Sequence, residues 1–277
     1  MAFDKVIDSI KLDEALTYTA NRIRVKTDST DSITWDASKG FGDAIDSITS
    51  QDFLNFVQSL GYFQVTSANT ATNLTLNIPN VTTLNRAFVI GNGNRPNNLK
   101  KIELTVSNKL TNMSYIFSNV SAGSLEEIIF HGDLSKVTNL NVAFACGGTG
   151  MNDNLKKISG LDFTSVTTAS QLFNSQRGLV ELDIKANTVG VALDLSSQRS
   201  LNLASCINVL NALKDLTGDT ALTVKVHDNL KNADTGTFYT NYVKLDTTTN
   251  LYIGCESTDA DAVTIAAAIT NKNWTIA

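Results

Sequence analysis

The chain has 277 residues, of which 42% are hydrophobic and only 18% are charged, so it can build a sizeable core in one large or two smaller domains. Its net charge is −5 and no run of Lys or Arg exceeds two residues, which excludes the basic stripe of a nucleic-acid-binding protein. No apolar run approaches the ~18 residues of a transmembrane helix. The opening Met1-Ala-Phe-Asp-Lys5 has no apolar segment behind a basic one, so we expect neither membrane insertion nor a signal peptide.

Residues 1–62 show the periodicity of short helices. A stretch from about Asp13 to Lys26 places apolar side chains on one face, and Gln51–Leu60 reads as a short amphipathic helix that Gly61 ends. This region is too small for a large independent core. It predicts an N-terminal helical module, 1–62, that serves attachment or oligomerisation.

From about Phe63 the pattern changes to strands with alternating apolar residues, which indicates strands buried on one face. The predicted strands are residues 74–78, 101–106, 127–130, 157–163 and 181–185. Four of them open alike, with Leu99-Lys-Lys-Ile102, Leu125-Glu-Glu-Ile128, Leu155-Lys-Lys-Ile158 and Leu179-Val-Glu-Leu182. Together with a further apolar residue two positions on, this is the Leu-x-x-Leu-x-Leu pattern of leucine-rich repeats.

Four segments between these strands are copies of one another. They are Val81-Thr-Thr-Leu-Asn-Arg-Ala-Phe88, Leu110-Thr-Asn-Met-Ser-Tyr-Ile-Phe117, Val137-Thr-Asn-Leu-Asn-Val-Ala-Phe144 and Val166-Thr-Thr-Ala-Ser-Gln-Leu-Phe173. Their final phenylalanines lie 29, 27 and 29 residues apart. A repeat of this length indicates stacked units, none of which buries its apolar face alone. The prediction is an α/β solenoid with one parallel strand and a short helical or irregular return segment in each repeat.

A column of alternating charge runs across the predicted strands through Lys101, Glu127, Lys157 and Glu181. In a parallel stack these side chains lie beside one another, so every charge has an opposite neighbour. Two interpretations follow: a recognition strip for a partner, or control of the register of the stack. The compensated charges favour register control.

The repeat fades after Leu179, and residues from about 186 to 277 read as a C-terminal cap of the solenoid domain, 63–277. We predict helices over residues 207–216 and 259–271, with Asp259 at the start of the second, and strands over 222–226 and 251–254.

Candidate chemistry is sparse. His131 and His227 lack the spacing of zinc ligands, and His131-Gly-Asp133 is a weak candidate for an acid–base pair. The glycine-rich Gly147–Gly150 lacks the residues of a phosphate-binding loop. The sequence therefore predicts a protein that is not an enzyme, with no catalytic, cofactor-binding or metal-binding residue and no cofactor.

The remaining candidates have structural alternatives. Three cysteines, Cys146, Cys206 and Cys255, read as small buried hydrophobic residues rather than as disulfide or metal partners. Tyr239, Tyr242 and Tyr252 are the candidates for contact with a sugar, against packing at an edge or in the core.

The segment Leu110–Phe117 resembles the return segments of bacterial leucine-rich repeats of the surface-antigen type, and the resemblance spans about residues 70–185. A second resemblance concerns the chain ends. Thr17–Thr27 and Ile33-Thr-Trp-Asp-Ala-Ser-Lys-Gly-Phe41 are similar to the opening of tail and baseplate proteins of phages that infect Gram-positive bacteria. The last ten residues, 268–277, are similar to the ending of such proteins, while Val25 and Asp28 depart from the pattern.

These resemblances imply a virion protein of the phage tail or baseplate, made in the host cytoplasm, with structural or receptor-binding work. Its expected partners are neighbouring tail proteins, a host-surface glycan or protein, and other copies of the chain through residues 1–62. The alternative is a cell-surface leucine-rich-repeat adhesin of a bacterium. A glycan-degrading enzyme is the third class, and it would require paired carboxylates in a cleft.

Overall fold

In a computed structural model, the described residues are 73–88, 100–118, 125–145, 154–228, 242–256 and 258–277. They contain ten strands and two helices. The strands are β1 Asn73–Asn77, β2 Lys101–Val106, β3 Glu127–Gly132, β4 Lys157–Leu161, β5 Glu181–Ile184, β6 Leu193–Leu195, β7 Leu222–Val226, β8 Tyr242–Asp246, β9 Leu251–Cys255 and β10 Trp274–Ile276. The helices are α1 Leu203–Ala212 and α2 Ile265–Asn271.

Strands β1 to β5 form a parallel sheet in chain order, so each strand begins one turn of a coil. The predicted register is confirmed, since Lys101 pairs with Glu127, Glu127 with Lys157 and Lys157 with Glu181. Alternate residues point inward; on β2 these are Ile102, Leu104 and Val106, which are all buried. All five strands predicted from the alternation are present, and each begins and ends within two residues of its predicted bounds.

The copied segments join neighbouring coils on the side opposite the sheet. Isolated parallel bridges connect Thr83, Asn112, Asn139 and Thr168 in succession. Each of the first three copied segments also donates three backbone N–H groups to the next; in the first pair these come from Leu84, Arg86 and Phe88, over 2.8, 3.1 and 2.9 Å. Each described coil is therefore held by hydrogen bonds on two sides. The segments are bridges and turns rather than helices.

The repeated phenylalanines stack along the interior. Ring centroids of Phe88 and Phe117 lie 4.9 Å apart, those of Phe117 and Phe144 5.9 Å, and those of Phe144 and Phe173 5.7 Å. The interplanar angles of 11° to 14° make all three pairs stacked. A single apolar core runs from coil to coil, as the predicted interdependence of the repeats requires.

The described residues thus form a parallel-strand β-solenoid of about five turns with few helices. The solenoid prediction is confirmed. The helical module predicted for residues 1–62 lies outside the described residues. No helix of the described residues is long and apolar enough to cross a membrane.

Beyond β5, a second parallel sheet in the order β10-β7-β6 continues the stack, and an antiparallel hairpin of β8 and β9 lies apart from it. The strands predicted over residues 222–226 and 251–254 are present. The helix predicted over 207–216 instead spans Leu203–Ala212. It begins earlier because the Asn202 side chain accepts from the Ser205 N–H, and it ends because Leu213 is extended and bridges Val189.

The helix predicted from Asp259 begins later than expected, at Ile265. Val263 forms an antiparallel bridge with Val243, which holds the preceding residues extended. The N-cap is Thr264, whose hydroxyl accepts from Ala267 N–H over 3.2 Å. Asp259 pairs with Lys244 at 2.5 Å and accepts from the Asp261 N–H, so it is a turn residue rather than a helix start.

Candidate functional site

A groove lies where strands β3, β4 and β5 end, at the carboxyl edge of the five-stranded sheet. Its volume is about 470 Å³. Gly132, Asp133, Ser135, Gly160, Leu161, Asp162, Asp183 and Lys185 line it, and we call it the β3–β5 groove. The sequence analysis singled out only Asp133 among these side chains.

Two glycines keep the floor of the groove open. Gly132 and Gly160 have φ of 89° and 82°, in the left-handed region that L side chains rarely adopt. A Cβ at Gly132 would stand 2.0 Å from the Val106 carbonyl oxygen, and one at Gly160 would stand 2.1 Å from that of Phe130. Only glycine therefore lets the ends of neighbouring strands approach this closely.

Asp133 and Asp162 occupy the groove because each starts the turn that follows its strand. Asp133 Oδ1 accepts from the Ser135 N–H, and Asp162 Oδ1 accepts from the Thr164 N–H, both over 2.8 Å. Side chains of Asp and Ser favour such turns because they bond to the backbone two residues on. The two carboxylates therefore have a structural role in the turns of the coil, in addition to any contact with a ligand.

Lys185 supplies the positive charge of the groove. Its Nζ lies 2.8 Å from Asp162 Oδ2, and the Asp162 side chain is only 9% exposed. Burial raises the pKa of Asp162, but the hydrogen bonds from Lys185 and Thr164 outweigh it, so this pKa lies below its usual value. The hydroxyl and N–H of Ser135 also hold the pKa of Asp133 below its usual value.

Asp183 completes the acidic lining. Its two carboxylate oxygens accept from the Gly160 N–H over 3.2 Å and from the Asn208 side-chain amide over 3.1 Å. All three carboxylates already accept hydrogen bonds from the protein, so only their remaining lone pairs can accept from hydroxyl or ammonium donors. A general acid near neutral pH requires a raised pKa, which is the opposite of the shifts at Asp133 and Asp162.

The structure does not pair His131 with Asp133, the weak candidate for an acid–base pair. His131 Nε2 lies 3.8 Å from Glu103 Oε2 on the neighbouring strand. Asp133 bonds to Ser135 in its own turn. The two residues face different neighbours, so they do not form an acid–base pair in this structure. The loop Gly147–Gly150 lies outside the described residues.

The charged column forms a second candidate surface on the outer face of the sheet. Lys157 Nζ lies 2.8 Å from Glu181, and Lys101 Nζ lies 3.9 Å from Glu127. Lys101 also binds Glu103 on its own strand at 2.5 Å. Because opposite charges pair along the column, its net field is small, as the interpretation of register control requires.

The tyrosine candidates for sugar contact have different outcomes. Tyr252 is 6% exposed, and its hydroxyl donates to the Ala268 carbonyl over 3.3 Å, so it packs in the core of the C-terminal unit. Tyr239 lies outside the described residues, and only the backbone of Tyr242 is described. Tyr252 therefore has the packing role that the sequence analysis kept as the alternative.

Among the described residues, the cysteines and the possible metal ligands form no further candidate site. Cys206 is buried and Cys255 is half-buried, and both are thiols, while Cys146 lies outside the described ranges. Burial raises the pKa of the Cys255 thiol, which disfavours a reactive thiolate. Within those ranges, no group of three or more His, Cys, Asp or Glu residues could hold a metal ion.

Sequence reasoning missed Asp162, Asp183 and Lys185, although a signal for the turns was present. A Ser or Asp directly follows each of three successive strands, at Ser107, Asp133 and Asp162. That column marks the turns but not the groove, because Lys185 reaches Asp162 from the next coil. No protein family model, no curated protein and no solved structure matches this chain.

Proposed function

We propose that the chain is a non-enzymatic phage tail or baseplate protein whose solenoid body contacts the host surface or neighbouring tail proteins. The observation that carries the proposal is the two-sided hydrogen bonding of the coils, which produces a rigid body suited to presenting a surface. The similarity of residues 17–41 to the opening of tail and baseplate proteins supports the location in a virion. Residues 1–62 would attach the body to the particle.

The finer assignment of the coils also belongs to this proposal: they are leucine-rich repeats of the bacterial surface-antigen type. Support comes from the positions of the repeated apolar residues. Leu125, Ile128 and Phe130 of one repeat are all buried, as are Leu155 and Ile158 of the next. These are the inward positions of a Leu-x-x-Leu-x-Leu strand.

A binding role accounts for the β3–β5 groove better than catalysis does. The lowered pKa values of Asp133 and Asp162 keep both carboxylates ionised near neutral pH, so they accept hydrogen bonds but do not donate protons. Their neighbours Lys185 and Ser135 add one ammonium and one hydroxyl group. A polar partner surface, such as a host glycan or protein, fits these groups.

Deletion of residues 1–50 tests the proposal. The full chain should bind neighbouring tail proteins or form oligomers, as measured by light scattering after size exclusion and by pull-down with proteins encoded beside it. The deletion variant should be monomeric, bind none of these proteins and keep the circular dichroism signature of its strands. If both forms are monomeric and bind no tail protein, the proposal is wrong. Export to the surface of a bacterium would support the adhesin alternative instead.

A further inference from the structure

One position of the copied segments differs from all the others. Across the four copies, seven of the eight positions keep one chemical type. Positions 1, 4, 7 and 8 are apolar, position 2 is always Thr, position 3 is Thr or Asn, and position 5 is Asn or Ser. The sixth position changes in every copy, through Arg86, Tyr115, Val142 and Gln171. The coil therefore does not dictate the side chain at this position.

The backbone at the sixth position favours glycine, yet none of the copies has it. The four φ angles there are 57°, 57°, 57° and 53°. Elsewhere in the described residues, Ser175 apart, positive φ is confined to Gly and Asn, which adopt it at the least cost. Val142, whose side chain is β-branched, is a strong outlier in this region. Strain that persists against the local preference is typical of functional sites, which indicates that these side chains do something that glycine could not.

The pairing of the coils places the four side chains in one row on the outer surface. Arg86 N–H donates to Ser114 and Tyr115 N–H donates to Asn141, over 3.1 and 2.9 Å, so each sixth position lies beside the next. Hydrogen-bonded strands lie ~4.8 Å apart, so the row extends over roughly 14 Å. Three of the side chains are exposed, and that of Val142 is half-buried. We call Arg86, Tyr115, Val142 and Gln171 the position-six row.

Arg86 gives the position-six row its charge. Its guanidinium Cζ lies 5.1 Å from the centre of the Tyr115 ring, which belongs to a residue that is 36% exposed. Stacking on a ring uses the face of the guanidinium and leaves its N–H groups, which lie in the plane, for an acceptor. Among the described residues, no carboxylate pairs with Arg86. The N–H groups therefore fit the two oxygens of a carboxylate or a phosphate, which Arg binds bidentately.

The rest of the row offers hydrogen-bonding and apolar groups without charge. The Tyr115 hydroxyl and the Gln171 amide can each donate and accept. Four side chains form a surface far smaller than the ~800 Å² that each partner of a stable protein complex buries. A folded protein would therefore need contacts beyond the row, whereas one extended chain with hydroxyl and acidic groups matches its length and chemistry. The ligand that fits best is an acidic glycan.

We propose that the position-six row binds an acidic glycan chain that runs along the solenoid axis, with a carboxylate or phosphate group at Arg86. The sugar hydroxyls bond to the Tyr115 hydroxyl and the Gln171 amide, and an apolar face of the chain packs on Val142. This inference rests on the proposed function in one respect, since it takes the partner to be a host-surface glycan. It assigns that role to a surface other than the β3–β5 groove.

An array of immobilised acidic oligosaccharides tests the proposal with the full chain. The array carries uronates, sialates and phosphodiesters, each beside its neutral counterpart, so it identifies which anion is bound. The natural chain should bind at least one acidic glycan more tightly than the neutral form. Arg86→Gln should weaken this binding roughly tenfold or more, because a hydrogen bond to a charged group is lost. Arg199→Gln, the same change at an exposed arginine after β6, should leave the affinity unchanged.

Gln171→Gly separates a binding role from a structural one. Glycine relieves the left-handed strain, so the variant should be at least as stable to urea as the natural chain, yet bind the glycan about threefold or more weakly. Ser170→Gly, at the adjacent exposed residue without a positive φ, should lower the stability and keep the affinity. A Gln171→Gly variant that loses stability and keeps its affinity would contradict the proposal, because the side chain would then serve the fold.

Two further results overturn the proposal. One is a natural chain that binds no acidic glycan more tightly than its neutral counterpart. That result leaves the proposed function intact, since deletion of residues 1–50 tests the association with tail proteins separately. The other is binding that Asp183→Asn abolishes and Arg86→Gln retains, which would place the glycan in the β3–β5 groove.

Discussion

At the scale of single residues, the return segment depends on one backbone conformation. Arg86, Tyr115, Val142 and Gln171 all have positive φ, although none is glycine. For an L residue this region costs roughly 1–2 kcal/mol. The N–H of Tyr115 donates to Asn141 over 2.9 Å and that of Val142 to Ser170 over 2.9 Å, so the next coil holds the strained residue in place.

Gln171→Gly should stabilise the protein. The side chain is exposed, so its removal forfeits little packing, and glycine relieves the left-handed strain of roughly 1–2 kcal/mol. Against this stands an entropic cost of roughly 0.5–1 kcal/mol, which leaves a net gain of about 0.5–1 kcal/mol. The adjacent and equally exposed Ser170 has no positive φ, so Ser170→Gly should lower the free energy of unfolding. Urea unfolding measures both; equal effects of the two variants would contradict the role assigned to strain.

At the scale of the coil, the parts that follow a simple period could be predicted from the sequence. Alternation located the five strands, and the spacing of Phe88, Phe117, Phe144 and Phe173 predicted one inward position per repeat. The turns after the strands were harder to predict, because the hydrogen bonds that Asp133 and Asp162 accept from the backbone depend on its local geometry. The groove could not be predicted, because it depends on Lys185 contacting Asp162 of the preceding coil. Helix boundaries failed where tertiary pairing, such as the bridge of Val263 to Val243, outweighed the local pattern.

Phe144→Ala tests the aromatic stack at its centre. Phe144 is fully buried and stacks on Phe117 and Phe173, so the cavity should lower the free energy of unfolding by about 3–5 kcal/mol. Tyr115, at 36% exposed, lies on the outer surface of the same stack, under Arg86 at 5.1 Å. Tyr115→Ala should cost no more than about 1 kcal/mol. Chemical denaturation compares the two, and similar losses would mean that the stack is not the core of the coil.

At the scale of the whole molecule, three consecutive residues near the C-terminus close the far end of the stack. Lys272 Nζ donates to the carbonyls of Leu210 and Leu213 over 2.6 and 2.8 Å. The Asn273 amide donates to Leu216 over 3.0 Å, and Trp274 Nε1 donates to Lys214 over 2.9 Å. Orphan carbonyls at the end of α1 are thereby satisfied. The resemblance of residues 268–277 to other chain endings drew attention to this segment. Its role in closing the stack could not be predicted from the sequence, because it depends on contacts with residues about 60 positions earlier.

The closing contact of Lys272 gives the stability of the whole chain a pH dependence. Burial lowers the pKa of Lys272 from 10.5 to about 8, even though Leu210 and Leu213 accept from the ammonium. Between these values the unfolded chain binds more protons than the folded one, so the free energy of unfolding rises with pH. From pH 7.5 to 9, the rise should reach at most about 1 kcal/mol, because solvent screens the exposed part of the side chain.

Lys272→Met identifies the source of that rise. The stability of the variant should not increase between pH 7.5 and 9, because methionine has no group that titrates in this range. Lys136→Met, at an exposed lysine, should keep both the stability and the increase. Urea midpoints at several pH values measure the effect. If the stability of Lys272→Met still increases with pH, another group causes the pH dependence. If the increase is lost in both variants, it does not depend specifically on Lys272 at the closed end of the solenoid.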